Sequence, residues 1–78
     1  IELSPEYAIM EIEAPIDWNG QSVRELNVRT RHRVNVIGIR DEKHILPLIN
    51  ADHVFKAGEH IIVAGEQRDI LRMMGKKL

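Results

Sequence analysis

At 78 residues, with a net charge of −1 and 29 % charged side chains, the chain reads as one small soluble domain and lacks the basic excess of a nucleic-acid binder. The absence of cysteine excludes disulfides and thiolate zinc sites and fits a reducing cytoplasm. No apolar run approaches the roughly 18 residues of a membrane-crossing helix. A chain this short buries only about 60 % of its unfolded surface, so a partner subunit is an expected source of stability.

Residues 1–6 read as the end of a linker, with Pro5 fixing its backbone. The start Ile-Glu-Leu-Ser-Pro has neither an initiating Met nor a signal peptide and reads as a cut inside a longer protein. From Tyr7, Ala8, Met10 and Ile12 alternate with Ile9, Glu11 and Glu13, the pattern of a half-buried strand that Pro15 ends. Asp17-Trp18-Asn19-Gly20 reads as a turn, its Asn-Gly pair suited to positive φ.

Ser22 and Glu25 have the spacing of a capping box, in which each side chain bonds the other residue's amide. Val23 and Leu26 lie three apart and share one helical face. Asn27 and the β-branched Val28 keep that helix to about two turns, and Arg29 to Arg33 reads as a basic loop.

Val34 to Leu48 then has the form of a β-hairpin: an apolar run from Val34 to Ile39, the polar turn Arg40-Asp41-Glu42-Lys43, and a second apolar run from Ile45 to Leu48. Asn50-Ala51-Asp52 and Val54 to Gly58 read as connections, His60 to Ala64 as a strand closed by Gly65, and Arg68 to Lys77 as a helix. In that helix Ile70, Leu71, Met73 and Met74 pack and Lys76-Lys77 complement the C-terminal end. The expected fold is α+β: a small, mainly antiparallel sheet with two helices, in the order strand, helix, strand, strand, strand, helix.

The hairpin is the candidate site. An apolar shelf with Arg40 and His44 at its rim suits a flat, partly charged small molecule or a dimer interface. Alternation allows only one hairpin face to line a groove, and the sequence leaves open which. Read by themselves, Ile37, Ile39, Leu46 and Leu48 are core or interface residues, Arg40 is a solvated strand-end charge and Pro47 protects an edge. Arg29, Arg31 and Arg33 offer a phosphate site or a solvated loop. His32, His44, His53 and His60 lack the pairing that sets two metal ligands on one helical face. Ser22 has no partner for nucleophilic activation, and nothing points to an enzyme.

The order of landmarks carries more. Gly20-x-Ser22-Val23-x-x-Leu26, Val34-x-x-Ile37-x-x-Arg40, Ile45-Leu46-Pro47 and the run from Ala51 to Gly65 together resemble the TrkA-C domain, also called the C-terminal RCK domain. The resemblance runs from about Tyr7 to Asp69, with Gly58-Glu59 where many members have Gly-Asp. It implies a regulatory domain at 7–78 that follows a Rossmann domain, forms a cytoplasmic homodimer within an octameric ring, and acts on a membrane potassium-transporting subunit. No nucleic acid and no membrane insertion are implied. Asn35 to Pro47 is similar to the segment with which Ktr-type gating subunits bind cyclic di-AMP. That likeness assigns Asn35, Ile37, Ile39, Arg40, His44, Ile45, Leu46 and Pro47 to the ligand, with no metal, and inhibition of potassium uptake as the outcome. Two other readings stand beside it: a structural dimerisation module with an empty groove, and a cation-regulated module using Asp52, His53 and Glu59.

Overall fold

The computed structural model describes residues 1–48 and 50–75. Ile49 and the Lys76-Lys77 pair expected at the end of the last helix lie outside the described residues. Four strands, β1 (Tyr7–Glu13), β2 (Asn35–Asp41), β3 (His44–Pro47) and β4 (His60–Glu66), form one antiparallel sheet in the order β1-β4-β2-β3. Helices α1 (Val23–Leu26), α2 (Val28–His32) and α3 (Gln67–Met73) and a 3-10 turn at Ile16–Trp18 complete it. This is the α+β architecture expected, a mainly antiparallel sheet with its strands in the expected places along the chain.

The expected capping box is present: the Glu25 amide donates to Ser22 Oγ at 3.0 Å, and the Ser22 amide donates to Glu25 Oε1 at 3.0 Å. Asn27 ends α1 in the left-handed region at φ 49°. The basic stretch is not a loop, however. Val28–His32 forms a second short helix, because Val28 is only 3 % exposed and its packing outweighs weak propensity. Among the described residues α2 is thus a short helix added to the two expected. The expected turn at 40–43 is also tighter: Arg40 and Asp41 continue β2, Asp41 pairs with His44, and only Glu42 and Lys43 connect the strands. Glu42 takes φ 54° to close it.

One sheet face is covered. Directly paired residues project to the same side, so Ile12, Ile61 and Ile39 share a face with Met10, Val63 and Val36. Ile61 and Val63 are fully buried there with Val34, Phe55 and Ile70, while Trp18 and Leu26 close the core. Trp18 lies 5.1 Å from Phe55, ring to ring, and His53 meets Phe55 edge-on at 5.2 Å. The segment 50–55 is laced to 20–24 by backbone bonds, among them Phe55 to Gln21 and Val23 to His53. That lacing brings His53 beside the hairpin.

The opposite face has no layer over it among the described residues. Ile9, Ile62 and Ala64 are half-buried there, with Glu11, His60 and Arg40 between them. Residues 1–6 are more than a lead-in: Glu2 bridges to Ala8, and Ile1 exchanges backbone bonds with Ile9, so the segment folds along the outer edge of β1.

Candidate functional site

The hairpin does not present its eight candidate residues on one surface. The pairing of β2 with β4 slips between Val36 and Gly38, leaving Ile37 as the extra residue of a bulge. Before the slip Asn35 faces the open side; after it Gly38 and Arg40 do, and Ile39 turns to the covered side. Cross-strand pairing carries this into β3. Ile45 and Pro47 lie opposite Arg40 and Gly38 on the open face, while Leu46 and His44 lie opposite Ile39 and Asp41. The bulge leaves Ile37 without a partner on β4, while Ile39 pairs with Ile61.

Two surfaces result. On the helix side the helices stop short of β3, and a notch of about 320 Å³ remains. It is lined by Ile39, Arg40, Leu46 and Pro47 from the candidates and by Asp41, Leu48, Asn50, His53 and Glu59 besides. Leu46 is 50 % exposed in this otherwise covered layer, so the notch has an apolar wall open to solvent. His53 and Glu59 form its polar side, with His53 Nε2 and Glu59 Oε1 3.2 Å apart. A flat aromatic base can lie on such a wall while edge groups meet the pair. Asn35, Ile37, His44 and Ile45 do not line this notch. Asn35 instead accepts from Arg29 Nε at 2.8 Å. Ile37 and Ile45 are exposed, and the exposed His44 sits at the hairpin end of β3.

On the open face Arg40 is engaged. Its Nε donates to both Glu11 oxygens at 2.8 and 2.9 Å and its guanidinium reaches Oε1 again at 2.6 Å. His60 Nδ1 lies 2.9 Å from the second Glu11 oxygen, and His60 Nε2 lies 3.7 Å from Glu13. The Arg40 guanidinium, then His60, hold the Glu11 carboxyl down to about 2. Glu11 in turn raises the Arg40 pKa. Glu11 and His60 escaped the sequence reading because they lie 29 and 49 positions from their partners and follow no motif. His53 and Glu59 entered it only as part of a cation site.

That cation site does not assemble. Asp52 turns to Arg24 Nε at 3.1 Å instead of joining His53 and Glu59. Among the described residues no three His, Asp or Glu side chains converge as a metal would need. Nor is any helix among them long and apolar enough to cross a membrane.

With this geometry established, three comparisons bear on the chain. The family model of the TrkA-C domain matches residues 8–76. The Ktr system potassium uptake protein C of Bacillus subtilis is 29 % identical over 72 residues, covering 92 % of this chain and 33 % of that protein. The chain thus spans about a third of the length of the curated relatives it matches. Among solved structures, the RCK C domain of the potassium transport protein KtrA in complex with cyclic di-AMP superposes with a TM-score of 0.79 at 27 % identity. That match covers 94 % of this chain and 86 % of the other. The RCK_C domain dimer of S. agalactiae BusR, also in complex with cyclic di-AMP, gives a TM-score of 0.74 at 26 % identity, covering 87 % of this chain and 92 % of the other.

Proposed function

The chain belongs to the TrkA-C domain family, and from that premise we propose that it is a cyclic di-AMP sensor regulating a potassium-uptake system. One observation carries the reading. The chain shares its fold and about a quarter of its residues with two domains solved in complex with this ligand. Its own hairpin notch supplies a compatible apolar wall in Ile39 and Leu46, with Pro47 and Arg40 at the rim.

The chemistry fits a two-fold ligand. Cyclic di-AMP carries two adenines and two phosphates about a dyad, and a two-fold dimer offers each half the same residues from opposite subunits. An adenine lies on the apolar wall, with His53, Glu59 and Asn50 within reach of its edge. Arg40 supplies a planar cation for phosphate or ring. Asn35, Ile37, His44 and Ile45 then act from the open face or at the dimer contact, not from the notch. Binding shifts the subunit arrangement by the difference in its affinity for the two geometries.

In the same proposal residues 7–78 are the regulatory portion of a longer cytoplasmic protein with a preceding Rossmann domain. That protein assembles as an octameric ring on a membrane potassium-transporting subunit and restrains uptake when the ligand binds. Isothermal titration of the chain with cyclic di-AMP, with cyclic di-GMP as control, tests it. Saturation at one ligand per two chains is expected. A flat trace from a folded, dimeric sample would overturn the sensor reading and favour a purely structural dimerisation module. The exposed Ile37, Ile45 and Leu46 suit that second reading.

A further inference from the structure

The open face of the sheet joins three charged groups from three strands. Arg40 of β2 reaches across β4 to Glu11 of β1, and His60 of β4 holds the other Glu11 oxygen. Arg40 also lines the notch beside Ile39 and Leu46. In the described conformation the guanidinium fork is spent on a carboxylate. A phosphate must compete for it.

We propose that Glu11 and His60 form a proton-operated clasp on Arg40, which sets how readily that guanidinium is released to a phosphate-bearing ligand. This rests on the reading of Arg40 as a ligand contact and adds its regulation. Glu11 and His60 are positioning residues; neither touches the ligand.

The argument is one of divided charge. Glu11 has two oxygens, and Arg40 contacts both. With His60 neutral, the carboxylate charge is offset mainly by Arg40, and removing the guanidinium leaves it exposed to His60 as a weak partner. With His60 protonated, an imidazolium 2.9 Å away takes over that oxygen as a charge-assisted donor. Freeing Arg40 then costs less. The other charge facing His60 is Glu13 of β1, 3.7 Å from Nε2. On β3 the residue opposite Arg40 is Ile45, and the neighbouring Asp41 and His44 pair on the far side of the sheet. Met74, which shares the surface beside Glu11, Glu13 and His60, carries no charge. A phosphodiester keeps its charge throughout the neutral range, so any pH dependence of binding must come from the protein. The predicted sign is tighter binding as His60 gains its proton.

The test measures cyclic di-AMP affinity at about pH 6 and about pH 8, for the wild-type chain, Glu11→Gln and His60→Gln. Half-exposed ion pairs of this kind are worth about twofold to fivefold in an equilibrium. Wild type should bind about that much more tightly at the lower pH. Glu11→Gln should bind more tightly than wild type at the higher pH and lose the dependence, and His60→Gln should bind as wild type does at the higher pH. Equal or weaker binding by Glu11→Gln would overturn the clasp while leaving the sensor reading intact. The Arg40 Nε–H resonance, followed without ligand, reads the clasp even if the wild-type chain fails to bind. It should be protected in wild type at the higher pH, and exposed by acidification or by Glu11→Gln. A resonance indifferent to Glu11→Gln would likewise overturn the proposal.

Discussion

Gly38 offers the sharpest test of how the hairpin is held. A β-carbon built there would lie 3.1 Å from Ile45 Cγ2, 3.2 Å from the Leu46 carbonyl oxygen and 3.5 Å from Ile62 Cγ1. The isoleucine methyl group can rotate aside; the Leu46 carbonyl is backbone and cannot. Gly38→Ala must therefore push β3 outward by a few tenths of an ångström along the strand that carries Leu46 and Pro47. Overpacking of this kind costs about 1–3 kcal/mol, while replacing glycine recovers about 0.4–1 kcal/mol by restricting the unfolded chain. The net expectation is a loss of about 1 kcal/mol, and Gly38→Val, with two further methyl groups, should lose about 2–3 kcal/mol. Urea unfolding should show a lower midpoint with an unchanged slope. Titration with cyclic di-AMP should show weaker binding, because the wall between Ile39 and Leu46 opens. An alanine variant as stable as wild type with unchanged affinity would refute the reasoning, since β3 would then move freely and the glycine would not be needed for close approach.

Arg40→Ala should weaken cyclic di-AMP binding by at least about tenfold, the scale of a lost charge-assisted contact, while titration and sizing show the fold and dimer unchanged. Ser22→Ala removes one arm of the capping box at a residue only 7 % exposed, and should lower stability by about 1 kcal/mol in denaturant unfolding. Glu11 gives a pH signature. Its carboxyl falls from 4.5 to about 2 on folding, through Arg40 first and His60 second. The stability it contributes is therefore complete above about 4.5 and is lost as pH falls toward 2. Acid unfolding of Glu11→Gln, compared with wild type, should show a shallower loss across that window.

What could be read from the sequence was local. Alternation from Tyr7 to Glu13 and the reciprocal Ser22–Glu25 cap depend on residues within a few positions of one another, and both stand in the structure. Arg29 to Arg33 was opaque because a short run of charges has no apolar period of its own; Val28 is buried in the core that α2 shares with α1, β2 and α3, and the helix follows from that burial. The hairpin existed in the sequence as a pattern, but its faces did not. A single extra residue at Ile37 exchanges the sides on which everything after it projects, and nothing in Val-Asn-Val-Ile-Gly-Ile marks where the slip falls. For the same reason the notch could be anticipated in residue type but not in membership. Ile39, Arg40, Leu46 and Pro47 line it, whereas His53 and Glu59 reach it only through the lacing of 50–55 onto 20–24.

The two edges of the sheet differ, and this bears on how far copies of the domain can grow by strand addition. Ile1 and Glu2 pair with the start of β1 at Ala8 and Ile9, whereas no described strand pairs with the outer side of β3. Pro47 lacks an amide to donate there, so only the part of β3 before it can serve as a template. A sheet with the start of its β1 edge occupied and its β3 edge unpaired among the described residues accepts a further strand most readily along β3. If that strand is the same edge of a second copy, both β3 edges are consumed at once. Pairing by this route uses up both β3 edges at two subunits and leaves only the stretch of β1 beyond Ile9 as a template.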